Sequence, residues 1–493
     1  MKIKKFISIL TILLVCIVFL LCGCKIDDLK KRSQGLNDYN ISMSLHPESH
    51  SISAVMEFCY KNQLDVALNA LKFNLYPNAY REDANYKAVS KESSVKAYPN
   101  GKSYGNIEVT SLSVNDSSTN INICGVDSNI LEVAMPNDIF KGDSVNIEIA
   151  FKVNIANIKH RLGYIENTFN IANFYPSLCY MENGAFLEYP YYSSGDPFVS
   201  EIANYDITFV APCVYTISHT GDLISTITEN NISTHNFKAT CVRDFAIVAS
   251  SDTKTATAKV EHTDIIYNYI TDNEPDVTLK LITDCFQYFN DIFGLYPYKT
   301  YCVTQTNFCY GGMEYPNLIY VANDLPKESY HKVIIHETAH QWWYALVGNN
   351  QIKHAWLDEG LAEYSVILFY EHHPQLQNSN ELLKSSYKNY RLFCDVLKNY
   401  QSNIDTSLTR SIPEYPNNQT YVCLNYLKSM LLFDSLRSTM KDKKFFKGLN
   451  RYFKTAQFTV ATPETLIGCF EKEYGAPLTS WFNSWLGNGT VIE

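Results

Sequence analysis

The sequence predicts an α+β multidomain chain: an N-terminal antiparallel all-β domain, then an α+β domain rich in helices. Three observations predict it. From residue 39 to about 250, short runs alternate apolar and polar residues and are cut by clusters of Asn, Asp, Ser and Gly, the pattern of half-buried strands. After about residue 255 helical periodicity takes over, with single strands between helices. An apolar helical stretch then carries His336-Glu337-Thr338-Ala339-His340. At 493 residues, two or three domains are expected. Hydrophobic residues make up 46%, enough for large cores, and 20 Gly with 17 Pro are too few for a disordered chain. The 36 Tyr suit a β-rich extracellular protein.

At the front, Met1-Lys2-Ile3-Lys4-Lys5 is basic, residues 6–21 are an unbroken apolar run, and Leu21-Cys22-Gly23-Cys24 follows. This resembles a bacterial lipoprotein signal, which implies cleavage before Cys24 and acylation of that cysteine. The expected organisation is a signal peptide over 1–23, a tether over 24–37, the β domain over 38–252 and the α+β domain over 253–493. An uncleaved anchor is the alternative, although the run is slightly short for a span. Both readings place the body outside the cytoplasm, held at a membrane surface. Lys25, Lys30, Lys31 and Arg32 read as a solvated juxtamembrane tether. The chain carries 41 basic and 51 acidic residues, with no basic cluster after residue 32, so nucleic acid is not an expected partner. Of 14 cysteines, Cys16 and Cys22 leave with the leader; those beyond Cys24 are scattered and read mostly as small buried apolar residues, their disulfide pairing left open.

Within the β domain, Ile107-Glu108-Val109-Thr110, Val145-Asn146-Ile147-Glu148-Ile149 and Tyr205-Asp206-Ile207-Thr208-Phe209 alternate cleanly. Leu71-Lys72-Phe73-Asn74-Leu75-Tyr76-Pro77-Asn78-Ala79-Tyr80 reads as a strand ending at a Pro-Asn turn. Val242-Arg243-Asp244-Phe245-Ala246 reads as a last strand, its charge pair a turn or interface salt bridge. A helix is expected over 276–293 and a strand over 301–306. Gly311-Gly312-Met313-Glu314-Tyr315-Pro316 follows, then a strand at Leu318-Ile319-Tyr320-Val321. Pro326 opens the next helix in its first turn. That helix is expected to finish near Gly348, and its successor to run to about Tyr370, ahead of Pro374. The remainder reads as helical, including a start at Thr462-Pro463-Glu464 and a stop at Gly475.

His336 and His340, four apart, fall on one helix face and can converge on one metal ion. Glu337 lies one step around, where it reaches a water at that metal without ligating it. A third ligand is available in Trp356-Leu357-Asp358-Glu359-Gly360-Leu361-Ala362-Glu363. His336, His340 and Glu359 make a His₂Glu set with one open position, the pattern of a catalytic zinc site, with one Zn2+ per chain.

These residues resemble the aminopeptidase N family of zinc aminopeptidases, a branch of the gluzincins. The resemblance rests on His336 to Trp343 with Trp356 to Tyr364, on the Gly311 to Pro316 stretch, and more weakly on the residue 71–80 and 242–246 stretches and on Tyr426-Leu427-Lys428. It implies a β-saddle or sandwich domain, then a thermolysin-like α+β catalytic domain, in a minimal two-domain form. It implies His336, His340 and Glu359 as zinc ligands, Glu337 as general base, and Glu314 as the carboxylate that binds the substrate's free α-amine. Gly311, Gly312 and Met313 would let the substrate backbone lie beside an edge strand, and Tyr426 would donate to the oxyanion. Tyr315 stands where the family usually has Asn, and Ser429 where it has Gly. Glu363 is either an orienting partner of a ligating histidine or simply solvated. A second amine-binding residue, expected between residues 167 and 176, is not identifiable. The implied activity is removal of N-terminal residues from peptides; the rivals are a zinc endopeptidase and a catalytically retired peptide-binding lipoprotein.

Overall fold

The computed structural model describes residues 29–400 and 405–488. The signal peptide, Cys24 and the first part of the tether lie outside the described residues.

Asp38–His46 turns tightly into Ser51–Lys61, and both bury every second side chain: Tyr39, Ile41, Met43 and Leu45 on the first, Ile52, Ala54, Met56 and Phe58 on the second. That alternation is the pleat of a sheet with one face on a core. They form the centre of an eight-stranded sheet whose order is Asp222–Glu229, Ile232–Val242, Ala203–Pro212, Asp38–His46, Ser51–Lys61, Ser144–Asn154, Asn106–Val114 and Ser117–Ser118. The domain is antiparallel as expected except at one pair of strands. Asp38–His46 pairs in parallel with Ala203–Pro212, Ile41 opposite Ile207. Strands so far apart in sequence are free of the hairpin geometry that forces antiparallel pairing. Two four-stranded sheets, one built on Leu68–Asn74 and Ile130–Ile139, the other on Ile247–Ser250 and Thr168–Ile171, complete this sheet-rich half.

A correction concerns residues 242–246. Ile232–Val242 ends at Val242 and the next strand, Ile247–Ser250, begins in a different sheet. Arg243, Asp244 and Phe245 form the crossing between them and are all buried. Arg243 and Asp244 satisfy their polar atoms in different directions, which a regular ladder would not allow.

The helix-rich half opens with a five-stranded sheet. Thr263–Tyr269, Thr300–Thr306 and Leu318–Ala322 run parallel, and Gly312–Met313 adds an antiparallel edge against Leu318–Ala322. Parallel strands covered on both faces read as continuous apolar runs, and all five residues of Leu318–Ala322 are buried. The helix Lys327–Ala339 packs against this sheet, and Trp356–His372 packs against that helix and against Ser429–Met440, followed by Asp442–Ala456 and Pro463–Tyr474. The last begins with Thr462 capping the amide of Thr465 and stops at Gly475 in the left-handed region. Pro326 stands at the N-cap, one place before the first turn expected for it. All eleven cysteines among the described residues are free thiols, six of them buried.

Candidate metal centre and active site

The helix Lys327–Ala339 drives its last turn, Ile334 to Ala339, into the core. The α-helix does not reach Gly348 as the spacing suggested. It gives way to a π-helical segment, Gln341–Leu346, whose path breaks at Trp343 and Tyr344. Along this irregular path the carbonyl of Trp343 faces His340 Nδ1, those of Tyr344 and Leu346 accept from Arg243, and the Trp342 indole donates to the carbonyl of Gly294, while the buried Trp343 Nε1 has no partner. His336 and His340 therefore sit at the helix end with Nε2 atoms 3.1 Å apart.

Trp356–His372 brings the third donor. Glu359 Oε2 lies 3.2 Å from His336 Nε2 and 3.4 Å from His340 Nε2. The helix is buried almost all round, which fits its lack of a polar face. At Gly360 an added Cβ would collide with Ser429 and Phe433, so the glycine lets helix Ser429–Met440 approach. Ser429, where the family has Gly, is accommodated by donating its hydroxyl to the carbonyl of Asn425. The same approach carries in Tyr426, whose hydroxyl donates to Glu359 Oε1 at 2.5 Å. Burial, then the nearby Glu359 charge, push the Tyr426 phenol well above its usual range, so it keeps its proton and remains a donor.

His340 Nδ1 faces the carbonyl of Trp343 at 3.0 Å. A carbonyl only accepts, so Nδ1 carries the proton and Nε2 presents a lone pair. His336 is less firmly held: its buried Nδ1 has no hydrogen-bond partner, and Glu363 Oε1 stands 3.6 Å away, itself paired with Lys332 at 3.0 Å. Two imidazole lone pairs and a carboxylate oxygen facing one another need a cation between them. The electrostatics agree. Burial would lower the His340 pKa, but Glu314, Glu359 and Glu337 outweigh it and hold it well above the ordinary range. Burial would raise Glu359, but the imidazoles of His336 and His340 bring it down to about 2. The donor set fits one zinc ion.

Glu337 projects from the same helix turn, and its carboxylate lies against Gly312, where a Cβ would clash with it. Burial, followed by the charge of Glu314, pushes it well above the usual carboxylate range. Glu314 is buried opposite, on the arm after the edge strand, and burial with the charge of Asp196 raises it to about 8. One ligand atom each from Glu314, Glu337 and His340 lie within 4.8 Å of one another. Gln351 Nε2 donates to Glu314 Oε1 and to Asp358 Oδ2, both at 2.9 Å, and so fixes the carboxylate's orientation. These groups line a cavity of about 250 Å³.

The β-rich half supplies one wall of that cavity. Arg161 pairs with Asp196, donates to Tyr191 Oη at 3.2 Å, and reaches Met313 Sδ at 3.1 Å. Asp196 lines the cavity, and burial raises its pKa although Arg161 opposes this. Asn173, inside the window expected to hold a second amine-binding residue, instead accepts from Tyr315 Oη at 3.0 Å. Tyr315 is thus a buried strut between the Glu314 arm and Asn173.

The structure brings His336, Glu337, His340, Glu359, Glu314, Tyr426, Gly311 and Gly312 together around the cavity. Met313 lies behind it, against Arg161. Sequence reasoning missed Gln351, Asp196 and Arg161, none of which belongs to a periodic pattern. The nearest signal was Ser193-Ser194-Gly195-Asp196-Pro197, legible only as a turn.

Residues 277–485 match the peptidase family M1 domain. The chain thus carries a peptidase family M1 domain, and the relatives it matches there are aminopeptidases. It is 27% identical over 154 residues to aminopeptidase M1-B of Oryza sativa subsp. japonica, covering 31% of this chain and 17% of that protein. With aminopeptidase N of Streptomyces lividans it shares 24% over 237 residues, 43% of this chain and 26% of the relative. The chain thus spans about a quarter or less of these relatives' length. Among solved structures, the M1 zinc metallopeptidase of Deinococcus radiodurans superposes with a TM-score of 0.66 at 16% identity, covering 93% of this chain and 95% of the other. At that identity the likeness establishes the two-domain M1 fold.

Proposed function

We propose that this protein is a zinc-dependent aminopeptidase that removes residues one at a time from peptides with a free α-amine. The observation that carries this reading is the placement of Glu314. A buried carboxylate not used as a metal ligand lies within 4.8 Å of His340 and Glu337, across the same cavity. A cation held by Glu314 therefore sits beside the hydrolytic centre, where the α-amine of a peptide's first residue would place that residue's own carbonyl at His336, His340 and Glu359. The structure of the Deinococcus radiodurans enzyme with a Tyr-Ser-Ala substrate supports peptides as the ligand class for this fold.

His336, His340 and Glu359 would hold the zinc, which when bound supplies Lewis acidity toward water and toward the scissile carbonyl. Glu337 takes the proton of the attacking water on its carboxylate and later delivers it to the leaving nitrogen. Between the two steps the buried carboxylate holds that proton. Tyr426 Oη turns from Glu359 to donate to the oxygen that becomes anionic. Glu314, oriented by Gln351, receives the substrate ammonium. The cation also relieves the crowding of Glu314 with Asp196.

The test is a time course of one peptide in free and N-acetylated form, followed by mass. The free peptide should shorten from its N-terminus while the acetylated one stays intact. Internal cuts at equal rates in both would establish the endopeptidase instead. We also propose that the protein is extracytoplasmic and anchored to a membrane by acylated Cys24; among the described residues no helix is long and apolar enough to cross a membrane. Cys24→Ala should release the protein from the membrane fraction, and retention of that variant there would reject the anchor.

A further inference from the structure

The crossing at Arg243 and Asp244 touches neither zinc ligands nor cavity, yet it ends behind both. Arg243 is buried, and its guanidinium donates to four main-chain carbonyls: Tyr344 O at 2.9 Å, Ser200 O at 2.9 Å, Leu346 O at 3.3 Å, and Thr459 O. Two of these belong to the broken π-helical segment directly after His340. The carbonyl that receives His340 Nδ1–H is that of Trp343, one peptide before Tyr344. Gly348 leaves the space this needs, since a Cβ there would collide with the guanidinium. Five donors in a fixed plane suit this bundle of carbonyls better than any other side chain.

Asp244 works in the other direction. It accepts from Asn173 Nδ2 at 2.8 Å, from Tyr175 Oη at 2.8 Å and from the Phe245 amide at 2.7 Å. Asn173 Oδ1 in turn accepts from Tyr315 Oη, the neighbour of Glu314. Gln341, the neighbour of His340, donates to the Tyr315 carbonyl at 3.1 Å and joins the two lines.

We propose that Arg243 and Asp244 are positioning residues of the active site. Arg243 holds the backbone that orients the ligand His340, and Asp244, through Asn173 and Tyr315, holds the arm that carries Glu314. The β-rich half thereby sets the spacing between metal and amine sites. The Arg243 half of the proposal needs only the zinc site; the Asp244 half rests on the aminopeptidase reading.

Zinc affinity by chelator competition tests the first half. Arg243→Lys should bind zinc up to about tenfold more weakly, because it loosens the backbone whose Trp343 carbonyl is the outer partner of His340. Gly348→Ala, which displaces the guanidinium without removing it, should shift affinity the same way and stands in if Arg243→Lys fails to fold. Near-ultraviolet circular dichroism checks folding in each. The second half is read with Tyr315→Phe, which deletes one hydrogen bond. It should raise KM for a free-amine peptide by about two- to tenfold, with kcat changed less and zinc affinity unchanged. A folded Arg243→Lys or Gly348→Ala protein with wild-type zinc affinity, whatever its Tm, would make Arg243 an ordinary interface contact. Unchanged KM in Tyr315→Phe would overturn the Asp244 half. Absence of any free-amine preference in the unaltered protein would instead reject the aminopeptidase reading, and the zinc measurements would still stand.

Discussion

The two ends of the cavity are built differently. At the metal end, His336 and His340 are spaced by a helix, and a second helix presents Glu359. Covalent helical geometry does most of the positioning there. At the other end, the proposed amine site, Glu314 sits on a short arm after a two-residue edge strand. Its place depends on Gln351, on Tyr315 against Asn173, and on Met313 against Arg161, contacts drawn from three other parts of the chain. Helical spacing sets the metal end, with Arg243 bracing only the backbone after His340, whereas the opposite end is only as exact as its packing.

Substitutions can sharpen that contrast. The largest effects belong to the metal end. His340→Ala should lose zinc and with it turnover, seen by metal analysis and by an assay on an aminoacyl chromogenic amide. Glu337→Gln should retain one zinc per chain while kcat falls about 10²–10⁴-fold; near-normal turnover there would move the general base elsewhere. Tyr426→Phe comes next, with kcat lower by about 10²–10³-fold and KM little changed, the loss expected for one oxyanion donor. At the amine end, Glu314→Ala should cost about 10–100-fold in kcat/KM on free-amine peptides, because a charge-assisted contact is worth about 1.5–3 kcal/mol. The gap between free and acetylated substrates should narrow with it, and an undiminished gap would remove Glu314 from amine recognition. The smallest effect lies outside both ends. Lys141 and Asp65 form an ion pair at 2.7 Å with side chains 55% and 88% exposed, so Lys141→Ala should shift unfolding free energy by less than about 0.5 kcal/mol.

Helical and strand periods carry most of what could be read in advance. The alternation of Val145, Ile147 and Ile149 marks a strand that buries those three side chains. Thr462 and Gly475 bound a helix because cap and stop are local chemistry. Errors fell where partners are distant in sequence. Val242 to Ala246 looks like a strand because its residues are mostly apolar, but Arg243 finds its acceptors at Tyr344, Leu346 and Thr459, about a hundred or more residues away. The helix after His340 breaks early at Trp343 and Tyr344, and the carbonyls of Tyr344 and Leu346 there accept from Arg243, a partner no local pattern reveals.

The sequence by itself determined the metal set, because His336, His340 and Glu359 lie on helices whose period converts residue number into direction. It also determined the alternation that makes the first half a sheet-rich layer. Only the tertiary structure decided the parallel pairing of Asp38–His46 with Ala203–Pro212, the delivery of Asp196 to the cavity, and the strut from Asp244 through Asn173 and Tyr315 to the Glu314 arm. Each joins segments far apart in the chain, and such contacts are selected by burial and hydrogen-bond satisfaction in the folded core, quantities that no local period encodes.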